Sequence, residues 1–502
     1  MKLSVRAGLA GVAAAAVALG LAEIVAVFTG PLSSPLFAVG GVVVDNVPGP
    51  VKDLGIAVFG THDKTALIIG TALLLAVYAA AVGILALRSW LYAYAGIGLF
   101  VVVGVTAALT RHDAGVTAAL PSLLAGAVAV QALRYLIPIS EESAGADADN
   151  DSRRRFLVGV GAAAGIAVVG GFGGRLFTSR RAVTEARNAV VLPQPVESAP
   201  PIPAGAQAEG ATAYVTSNND FYRIDTSLYP PQVDPATWEL RIHGMVRNPI
   251  TITWEQLLQR PMVERYVTLA CVSNEVGDDL IGNALWLGTS LKDLLDEADP
   301  LPEADQAVAR SADGWTCGSP TAELRDGRDA LLAIGMNGVP LPVQHGFPAR
   351  LVVPGLYGYV SACKWITEIE LTRFADFDAY WVPRGWSALG PIKTESRIDA
   401  PRDGAKRPAG EIMVAGVAWA QHRGVTKVEV RIGDEPWAEA RLAPAVSTDT
   451  WVQWSYPWAA TKGDHRIQVR ATDAQGQTQT STEAPPAPDG ATGWHTIKVA
   501  VG

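Results

Sequence analysis

The chain has 502 residues, a formal net charge of −9 and only three cysteines. The acidic balance, with no basic patch interleaved with aromatic residues, argues against a nucleic-acid-binding protein, and the cysteine count excludes a disulfide-stapled scaffold. Residues 1–140 are dominated by Ala, Val, Leu and Gly, whereas residues from 188 onward are an ordinary soluble mixture, so a membrane part precedes a soluble part.

The membrane part contains four stretches long and apolar enough to cross a bilayer, which takes about 20 residues. They cover residues 7–28, 65–87, 91–109 and 116–137. Residues 36–59 are interrupted by two aspartates, two prolines and a lysine, so we expect a loop there. We therefore predict an all-α bundle of four transmembrane helices in residues 1–140. Residues 156–174 contain no charged residue and predict a fifth helix within residues 141–187.

Three arginines precede this fifth helix, in "SRRRFL" at residues 152–157. The stretch fits the twin-arginine export signal Ser-Arg-Arg-x-Phe-Leu, which directs folded cargo across the membrane. The alternative is that the arginines only obey the positive-inside rule. Both interpretations place the arginines inside and deliver the soluble part to the extracytoplasmic face.

The soluble part divides into a linker and two domains. Residues 188–211 are rich in proline and predict a semi-rigid extended spacer. Residues 212–400 mix strand and helix patterns and predict the main folded domain. Residues 401–502 contain short alternating runs such as "VTKVEVRIGD" and "HRIQVRATDA". Their spacing predicts an all-β, immunoglobulin-like sandwich of about seven strands.

Cys271 is the first candidate for chemistry in the main domain. A short β-rich run, residues 266–270, ends at this cysteine, and Ser, Asn and Gly follow it closely. Such a cysteine is placed as a metal ligand, or as a nucleophile with His243 or His345 as its base, or as a small buried hydrophobe. Spacing alone does not choose among these roles.

Several longer motifs resemble the sulfite oxidase superfamily of molybdenum enzymes, in the order in which that family carries them. They are "NNDFYRID", "LACVSNEVG", "SADGWT", "MNGVPLPVQHGFPARLVVPGLYGYVSACKWITEIEL" and "YWVPRGW" followed by "PIKTESRID". The resemblance implies an α+β molybdopterin-binding oxidoreductase domain with one molybdopterin per molybdenum. It extends into "GVAWAQHRGVTKVEVRIG" and "VRATDAQGQ", which resemble the family's dimerisation domain, so a homodimer is implied, although membrane-anchored members can be monomeric.

The resemblance assigns roles to individual residues. Cys271 matches the cysteine whose thiolate binds molybdenum. Seven residues match positions that hold the pterin and its phosphate: Asn219, Tyr222, Arg223, Asp313, His345, Arg350 and Lys364. Arginine as a planar double donor and lysine as a point charge suit a terminal phosphate.

The substrate side matches the family less well. Arg223 and Tyr380 match residues near the reacting molybdenum, so both are candidate catalytic residues. Val276, however, stands where sulfite oxidases usually carry an arginine. We therefore expect two-electron oxygen-atom transfer on a small oxo-anion such as sulfite, or on a sulfoxide-type molecule in the manner of methionine sulfoxide reductases. The electron partner, a cytochrome or a quinone, stays open, and a non-catalytic surface binding protein on the same fold is the alternative.

The remaining cysteines, Cys317 and Cys363, lie in motifs expected around the pterin. One interpretation is two separate buried thiols. The other is a disulfide between them, which an oxidising exterior would favour.

Overall fold

The computed structural model describes residues 3–29, 33–46, 63–110, 115–142, 154, 158–162, 165, 175–227 and 229–502. These residues form two compact units. One contains residues 1–182 and 226–229, and the other contains residues 183–225 and 230–502. Each unit has its own hydrophobic core.

The first unit is helical. Its helices are α1 (Leu3–Thr29), α2 (Pro35–Asn46), α3 (Asp63–Ala86), α4 (Trp90–Leu109) and α5 (Leu120–Glu142). Four segments are long and apolar enough to cross a membrane, Leu3–Ala26, Ile69–Ala86, Trp90–Leu109 and Val116–Glu141, in agreement with the four predicted spans. Small residues bring α1 and α3 together, because a Cβ on Gly11 would lie 2.1 Å from the carbonyl oxygen of Ala79.

Part of the segment predicted as a loop is helical. Residues 36–46 lie in α2, which has 12 residues and is too short to cross a bilayer. The rest of that segment, residues 47–59, lies outside the described residues. Most of the predicted export signal and fifth helix also lies outside them, since only Arg154, residues 158–162 and residue 165 are described there.

The central domain of the second unit contains two β-sheets, with short helices between the strands. One sheet has the order β2-β1-β10-β5-β6, with β1 and β10 parallel, and the other has β3-β4-β7-β8, with β9 paired to β7. The strands are β1 Glu239–Gly244, β2 Ile250–Thr253, β3 Val263–Ala270, β4 Ile281–Ser290, β5 Gln306–Ser311, β6 Thr316–Pro320, β7 Leu331–Met336, β8 Val339–Pro340, β9 Arg350–Val352 and β10 Ile366–Thr372. The helices that follow α5 are α6 Arg175–Ala189, α7 Trp254–Leu258, α8 Leu291–Ala298, α9 Thr321–Arg325 and α10 Gly358–Ser361.

The C-terminal domain is a two-sheet sandwich, as its alternating runs predict. The sheets have the orders β11-β13-β17-β16 and β12-β19-β18-β14-β15. The strands are β11 Glu395–Ala400, β12 Ala405–Arg407, β13 Gly410–Trp419, β14 Val425–Ile432, β15 Ala438–Glu439, β16 Arg441–Leu442, β17 Val452–Ala460, β18 Gly463–Asp473 and β19 Thr496–Val501. The inner faces bury a core around Trp454 and Ile467. Because β11 pairs with β13, the sandwich begins at Glu395 rather than at residue 401.

The segment predicted as a spacer is extended, but it lies on the central domain instead of standing away from it. Glu197 bridges Val263 in parallel, and the Val196 amide donates to the carbonyl of Met262 over 2.7 Å. Leu192 packs against the hydrophobic core, and Ala206 is fully buried. Apolar side chains between the prolines therefore give the segment a surface to bury, which its proline content alone does not indicate.

Candidate functional site

Cys271 lies at the carboxyl end of β3, at the start of the loop that returns to β4. Its amide donates to the carbonyl of Leu280 over 2.9 Å, and the Asn274 side chain accepts from the Leu280 amide over 2.8 Å. These bonds close the loop under the thiol, which is 7% exposed. The Ser273 amide lies 3.4 Å from the sulfur and is placed to donate to it.

The charge state of Cys271 depends on its burial. Burial raises the pKa of this thiol, while the amide of Ser273 and the positive charge of Lys364 act to lower it. Without a cation bound to the sulfur, the thiol is therefore the favoured form at neutral pH. A metal ion would reverse this, because metal binding displaces the thiol proton.

An aromatic layer lies next to the cysteine. Tyr222 stacks on Phe221, with ring centroids 5.2 Å apart, and Phe221 meets Trp286 and His345 edge to face at 5.6 and 5.7 Å. Burial and the charge of Cys271 raise the pKa of Tyr222, so its hydroxyl stays protonated. The segment "DFYR" thus places one protonated tyrosine hydroxyl near enough to Cys271 for the two groups to interact electrostatically.

His345 is held as a neutral imidazole in one orientation. Its Nε2 lies 2.8 Å from the carbonyl oxygen of Asn218, and since a carbonyl only accepts, Nε2 carries the proton. Burial, followed by the positive charges of Arg350 and Lys364, lowers the pKa of His345 to about 4. Nδ1 is therefore an unprotonated acceptor at neutral pH.

Arg350 is a buried cation that meets no carboxylate partner within the described part of the chain. It is 5% exposed, and its guanidinium donates only to the carbonyls of His345 (3.2 Å) and Leu351 (3.3 Å) among the described residues. The guanidinium carbon lies 5.0 Å from the ring centroid of Trp286. Burial lowers the pKa of Arg350 to about 10. A buried arginine of this kind suits a ligand phosphate, which would supply the missing negative charge.

A glycine brings the second cation of the site to Arg350. Gly346 has φ +114°, and a Cβ there would lie 3.0 Å from the Arg350 side chain and 3.2 Å from Lys364. Lys364 Nζ donates to Asp225 Oδ2 over 3.0 Å and to the carbonyl of Ile224 over 3.1 Å. Arg223 Nε lies 3.8 Å from the same carboxylate oxygen. Gly346 thus permits the close packing of two basic residues.

Five predicted site residues lie in this group: Tyr222, Cys271, His345, Arg350 and Lys364. Arg223 borders it with its side chain half exposed, and its charge acts on His345.

Three further predicted residues lie elsewhere or lack partners. Asn219 is exposed, and among the described residues no hydrogen bond engages its side chain. Asp313 occupies the turn between β5 and β6, where it accepts from the Trp315 amide over 3.2 Å. The Tyr380 ring lies under the Arg384 guanidinium, with 3.7 Å between the guanidinium carbon and the ring centroid. The backbone amide of Tyr380 donates to Thr316 Oγ1 over 3.0 Å.

Two residues of this region were not among the sequence candidates. Asn218, next to the predicted Asn219, supplies the carbonyl that orients His345 and accepts from the Asn337 side chain over 2.8 Å. Tyr357 is 2% exposed and precedes α10, and the charge of Cys271 acts on its hydroxyl. Both lie inside the quoted motifs, but neither spacing nor residue type marks a backbone carbonyl or a buried phenol as functional.

Cys317 and Cys363 are fully buried free thiols that lie near each other. Burial and the neighbouring Cys317 raise the pKa of Cys363. The structure therefore agrees with the interpretation of two free buried thiols and not with a disulfide.

The residues around Cys271 fit a molybdopterin. No carboxylate of the described residues pairs with the buried Arg350, Lys364 lies beside it, and His345 presents a neutral acceptor. Among the described residues, no group of three or more His, Cys, Asp or Glu side chains could hold a metal ion. A metal at Cys271 would therefore take most of its ligands from a cofactor, as the two sulfurs of a pterin dithiolene would provide.

Comparisons with known proteins agree with this fit. The family described as oxidoreductase molybdopterin binding domain matches residues 227–381, and the bacterial Ig domain family matches residues 395–499. The chain is 28% identical to sulfite oxidase of Gallus gallus over 338 residues, covering 58% of this chain and 73% of that protein. It spans about half the length of the mammalian sulfite oxidases that it matches.

Two bacterial proteins are also similar. The uncharacterized oxidoreductase YuiH of Bacillus subtilis (strain 168) is 30% identical over 167 residues, which is 33% of this chain and 81% of that protein. The protein-methionine-sulfoxide reductase catalytic subunit MsrP of Gluconobacter oxydans is 33% identical over 220 residues, which is 38% of this chain and 65% of that protein.

One solved structure shows the same fold. The sulfane dehydrogenase SoxCD from Paracoccus pantotrophus superposes with a TM-score of 0.50 at 22% identity, covering 65% of this chain and 90% of that chain. The predicted fold class is confirmed: apolar helices at the N-terminus, a sulfite oxidase-like central domain and an Ig-like C-terminal domain.

Proposed function

We propose that this chain is a membrane-anchored enzyme that transfers an oxygen atom to or from a small molecule. The premise is that the chain belongs to the sulfite oxidase-type superfamily of molybdopterin oxidoreductases. The observation that carries the proposal is that one group of residues, around Tyr222, contains both the buried thiol of Cys271 and the buried guanidinium of Arg350, which meets no carboxylate among the described residues. Such a pair has a use when a cofactor joins a metal at one end to a phosphate at the other.

Each residue then has a stated task. The bound molybdenum–molybdopterin supplies the two-electron oxygen-atom chemistry. Cys271 provides a thiolate ligand, which the loop of residues 271–280 holds in place. Arg350 and Lys364 bind the phosphate, and the neutral His345 accepts a hydrogen bond at Nδ1. Tyr222 keeps its hydroxyl protonated near the sulfur.

The substrate class follows from the charges near the site. Val276 supplies no cation where sulfite oxidases usually have an arginine, which leaves Arg223, half exposed, as the candidate for an oxo-anion. We propose a small oxo-anion or a sulfoxide-type substrate, with sulfite as one member of the first class. The similarity to MsrP supports the alternative of a sulfoxide or methionine sulfoxide reductase. For that alternative we propose quinol as the electron donor.

The test begins with the purified full chain. We expect stoichiometric molybdenum and pterin, and turnover in a mediator-linked assay with sulfite, dimethyl sulfoxide or methionine sulfoxide. Oxidation of sulfite alone would support the first substrate class, and reduction of the sulfoxides alone would support the second. Absence of molybdenum and pterin from freshly isolated protein would contradict the enzyme proposal and favour a binding protein on the same fold.

We further propose that the catalytic part works outside the cell and is exported by the internal twin-arginine signal. Replacing Arg153 and Arg154 with lysine keeps the positive charge but removes the guanidinium pair, so the soluble part should remain inside. Its sensitivity to externally added protease measures this. Arg155→Lys is the matched control, since that position is variable in the motif. Unchanged exposure of the double variant would show that the arginines only set topology.

We also propose the partners of this enzyme. The electron partner would be a cytochrome or a quinone that meets the extracytoplasmic part. Similarity of the C-terminal domain to the family's dimerisation domain supports a homodimer, which light scattering of the solubilised chain would detect.

A further inference from the structure

A groove of about 570 Å³ runs between α4 and α5, and none of its residues has a task in the proposed function. Most of its lining is apolar or glycine, as at Ile97 and Leu123. The polar side chains in the lining are those of Tyr94 from α4 and of Gln131 and Arg134 from α5. The groove is therefore apolar along most of its length, and its polar groups come from a few neighbouring positions.

Glycines determine where the groove is closed and where it is open. A Cβ on Gly126 would overlap the side chain of Val101, so the two helices are in direct contact there. A Cβ on Gly98, by contrast, would meet none of the described residues within 4 Å. Gly98 lies about one helical turn after Tyr94. The groove is therefore open next to its polar groups and closes toward the middle of the helices.

Arg134 carries a positive charge that no described carboxylate offsets. Its Nε and Nη2 donate to the Tyr94 hydroxyl over 3.1 and 2.7 Å, and its guanidinium carbon lies 5.5 Å from the Tyr94 ring centroid. Both bonds end on one neutral phenol oxygen, which leaves the other N–H groups of the guanidinium to a ligand. Because a charge beside apolar surface is costly unless it is paired, Arg134 is placed to bind an anion.

Two neighbouring groups can contact the same anion. Gln131 lies three residues before Arg134 and therefore on the same helix face. Its side chain is exposed and bonds to none of the described residues. The Tyr94 hydroxyl accepts from Arg134 and keeps its own proton for a ligand oxygen. The polar end of the groove thus offers a cation, an amide and a hydroxyl.

The position of these groups along the helices indicates the depth of the site. Trp90 begins α4, and its ring centroid lies 6.0 Å from that of Tyr94. Arg88 precedes the helix and is exposed. Tryptophan, tyrosine and arginine together are typical of the membrane surface, where lipid headgroups lie. In a membrane-anchored protein, Arg134 therefore lies near the phosphate level and Gly98 lies beside the acyl chains.

We propose that this groove binds one anionic phospholipid, whose phosphate pairs with Arg134 and whose acyl chain runs past Gly98 toward Gly126. The inference rests on the membrane anchoring in the proposed function. The planar guanidinium can donate two hydrogen bonds to one phosphate, and Gln131 can bond the headgroup oxygens. The apolar lining buries part of the chain, as in other ligand grooves of this size.

Charge favours a phospholipid over a quinone as the occupant. A quinone carbonyl could accept a hydrogen bond from Arg134, but it is neutral and would leave the positive charge unpaired. A phosphate supplies the opposite charge at the depth at which the arginine lies. An anionic headgroup adds to this attraction, because basic pockets between membrane helices select anionic lipids.

The first test measures lipid binding to the full chain by native mass spectrometry, after purification in a non-ionic detergent and removal of lipid. We expect one dioleoyl-phosphatidylglycerol to bind about fivefold or more tightly than dioleoyl-phosphatidylcholine. Arg134→Gln should reduce this preference to within about twofold, whereas Arg134→Lys keeps the charge and should retain part of it. Arg88→Gln is the matched control, since it removes an exposed arginine at the same end but outside the groove. Equal losses in Arg134→Gln and Arg88→Gln would show diffuse attraction and overturn the inference.

The second test fills the groove without changing its charge. Gly98→Leu places a side chain in open space, so the helices should pack as before while the acyl chain is displaced. Phosphatidylglycerol binding should weaken by about tenfold or more, because several lipid methylenes lose their buried surface. Gly70→Leu is the control, since Gly70 lies in α3 and its Cβ also meets no described atom within 4 Å. Unchanged binding in Gly98→Leu would contradict a lipid in this groove.

The remaining outcomes separate the groove from the proposed function. Equal binding of the two lipids by the wild type would overturn the inference. Displacement of phosphatidylglycerol by an equal concentration of decylubiquinone would also overturn it and assign the groove to a quinone. A chain that stays soluble without detergent and does not insert into phosphatidylglycerol vesicles would contradict the proposed membrane anchoring itself. A chain that inserts and carries molybdenum, but shows no lipid preference, would contradict the groove alone.

Discussion

Replacing Cys271 with serine is expected to lower turnover by roughly a thousandfold or more, because a serine hydroxyl does not ionise at neutral pH and cannot replace a thiolate ligand. The side chain is buried, and the loop bonds beneath it come from the backbone and from Asn274. We therefore expect the fold to persist, at a cost of about 1 kcal/mol for burying the hydroxyl. Molybdenum per chain and mediator-linked turnover measure the effect.

Cys317 provides the control for this substitution. It is as buried as Cys271, but its neighbour is the thiol of Cys363. Cys317→Ala should keep molybdenum and turnover and lose only stability, by about 1 kcal/mol. Turnover retained by Cys271→Ser, or lost equally in both variants, would remove Cys271 from its assigned role as metal ligand.

Replacing Arg350 with glutamine is expected to have opposite effects on two quantities, the affinity for the cofactor and the stability of the cofactor-free protein. Loss of the buried cation should weaken cofactor binding by about 2–5 kcal/mol, roughly 30- to 5,000-fold. In the cofactor-free protein the same change should leave stability unchanged or raise it, because no described carboxylate offsets the buried charge. Pterin content and thermal unfolding of the cofactor-free chain report the two effects.

Two further variants sharpen this prediction. Arg350→Lys keeps the charge but loses the planar double donor, so it should retain only part of the pterin. Arg373 is exposed and pairs with Asp376 at 2.6 Å, so Arg373→Gln should change neither quantity. A cofactor-free Arg350→Gln protein that is much less stable than the wild type would show that Arg350 holds the fold and does not await an anion.

Local patterns predicted most of the architecture correctly. Runs of about 20 apolar residues require a helix in a bilayer, and period-two alternation requires a strand with one buried face, so both are visible in a short window of sequence. Cys271 was identified for a related reason, because a polar loop directly after a strand places its side chain at the edge of a sheet. The motif resemblance then added Arg350, His345 and Lys364, which the structure brings together.

Contacts between parts of the chain that lie far apart in the sequence could not be predicted from such local patterns. Residues 188–211 pack on the central domain because β3 offers them an edge with which to pair. Their proline content does not indicate that such an edge exists. His345 takes its orientation from the carbonyl of Asn218, an atom that every residue type carries.

By itself, the sequence determined the order of the apolar helices, the central domain and the sandwich, and the residue types available at the site. Only the tertiary structure decided which of those residues meet. It placed Gly346 where the side chains of Arg350 and Lys364 could pack closely. The physical reason is that burial depends on what packs around a group, and that environment comes from residues far away in the chain.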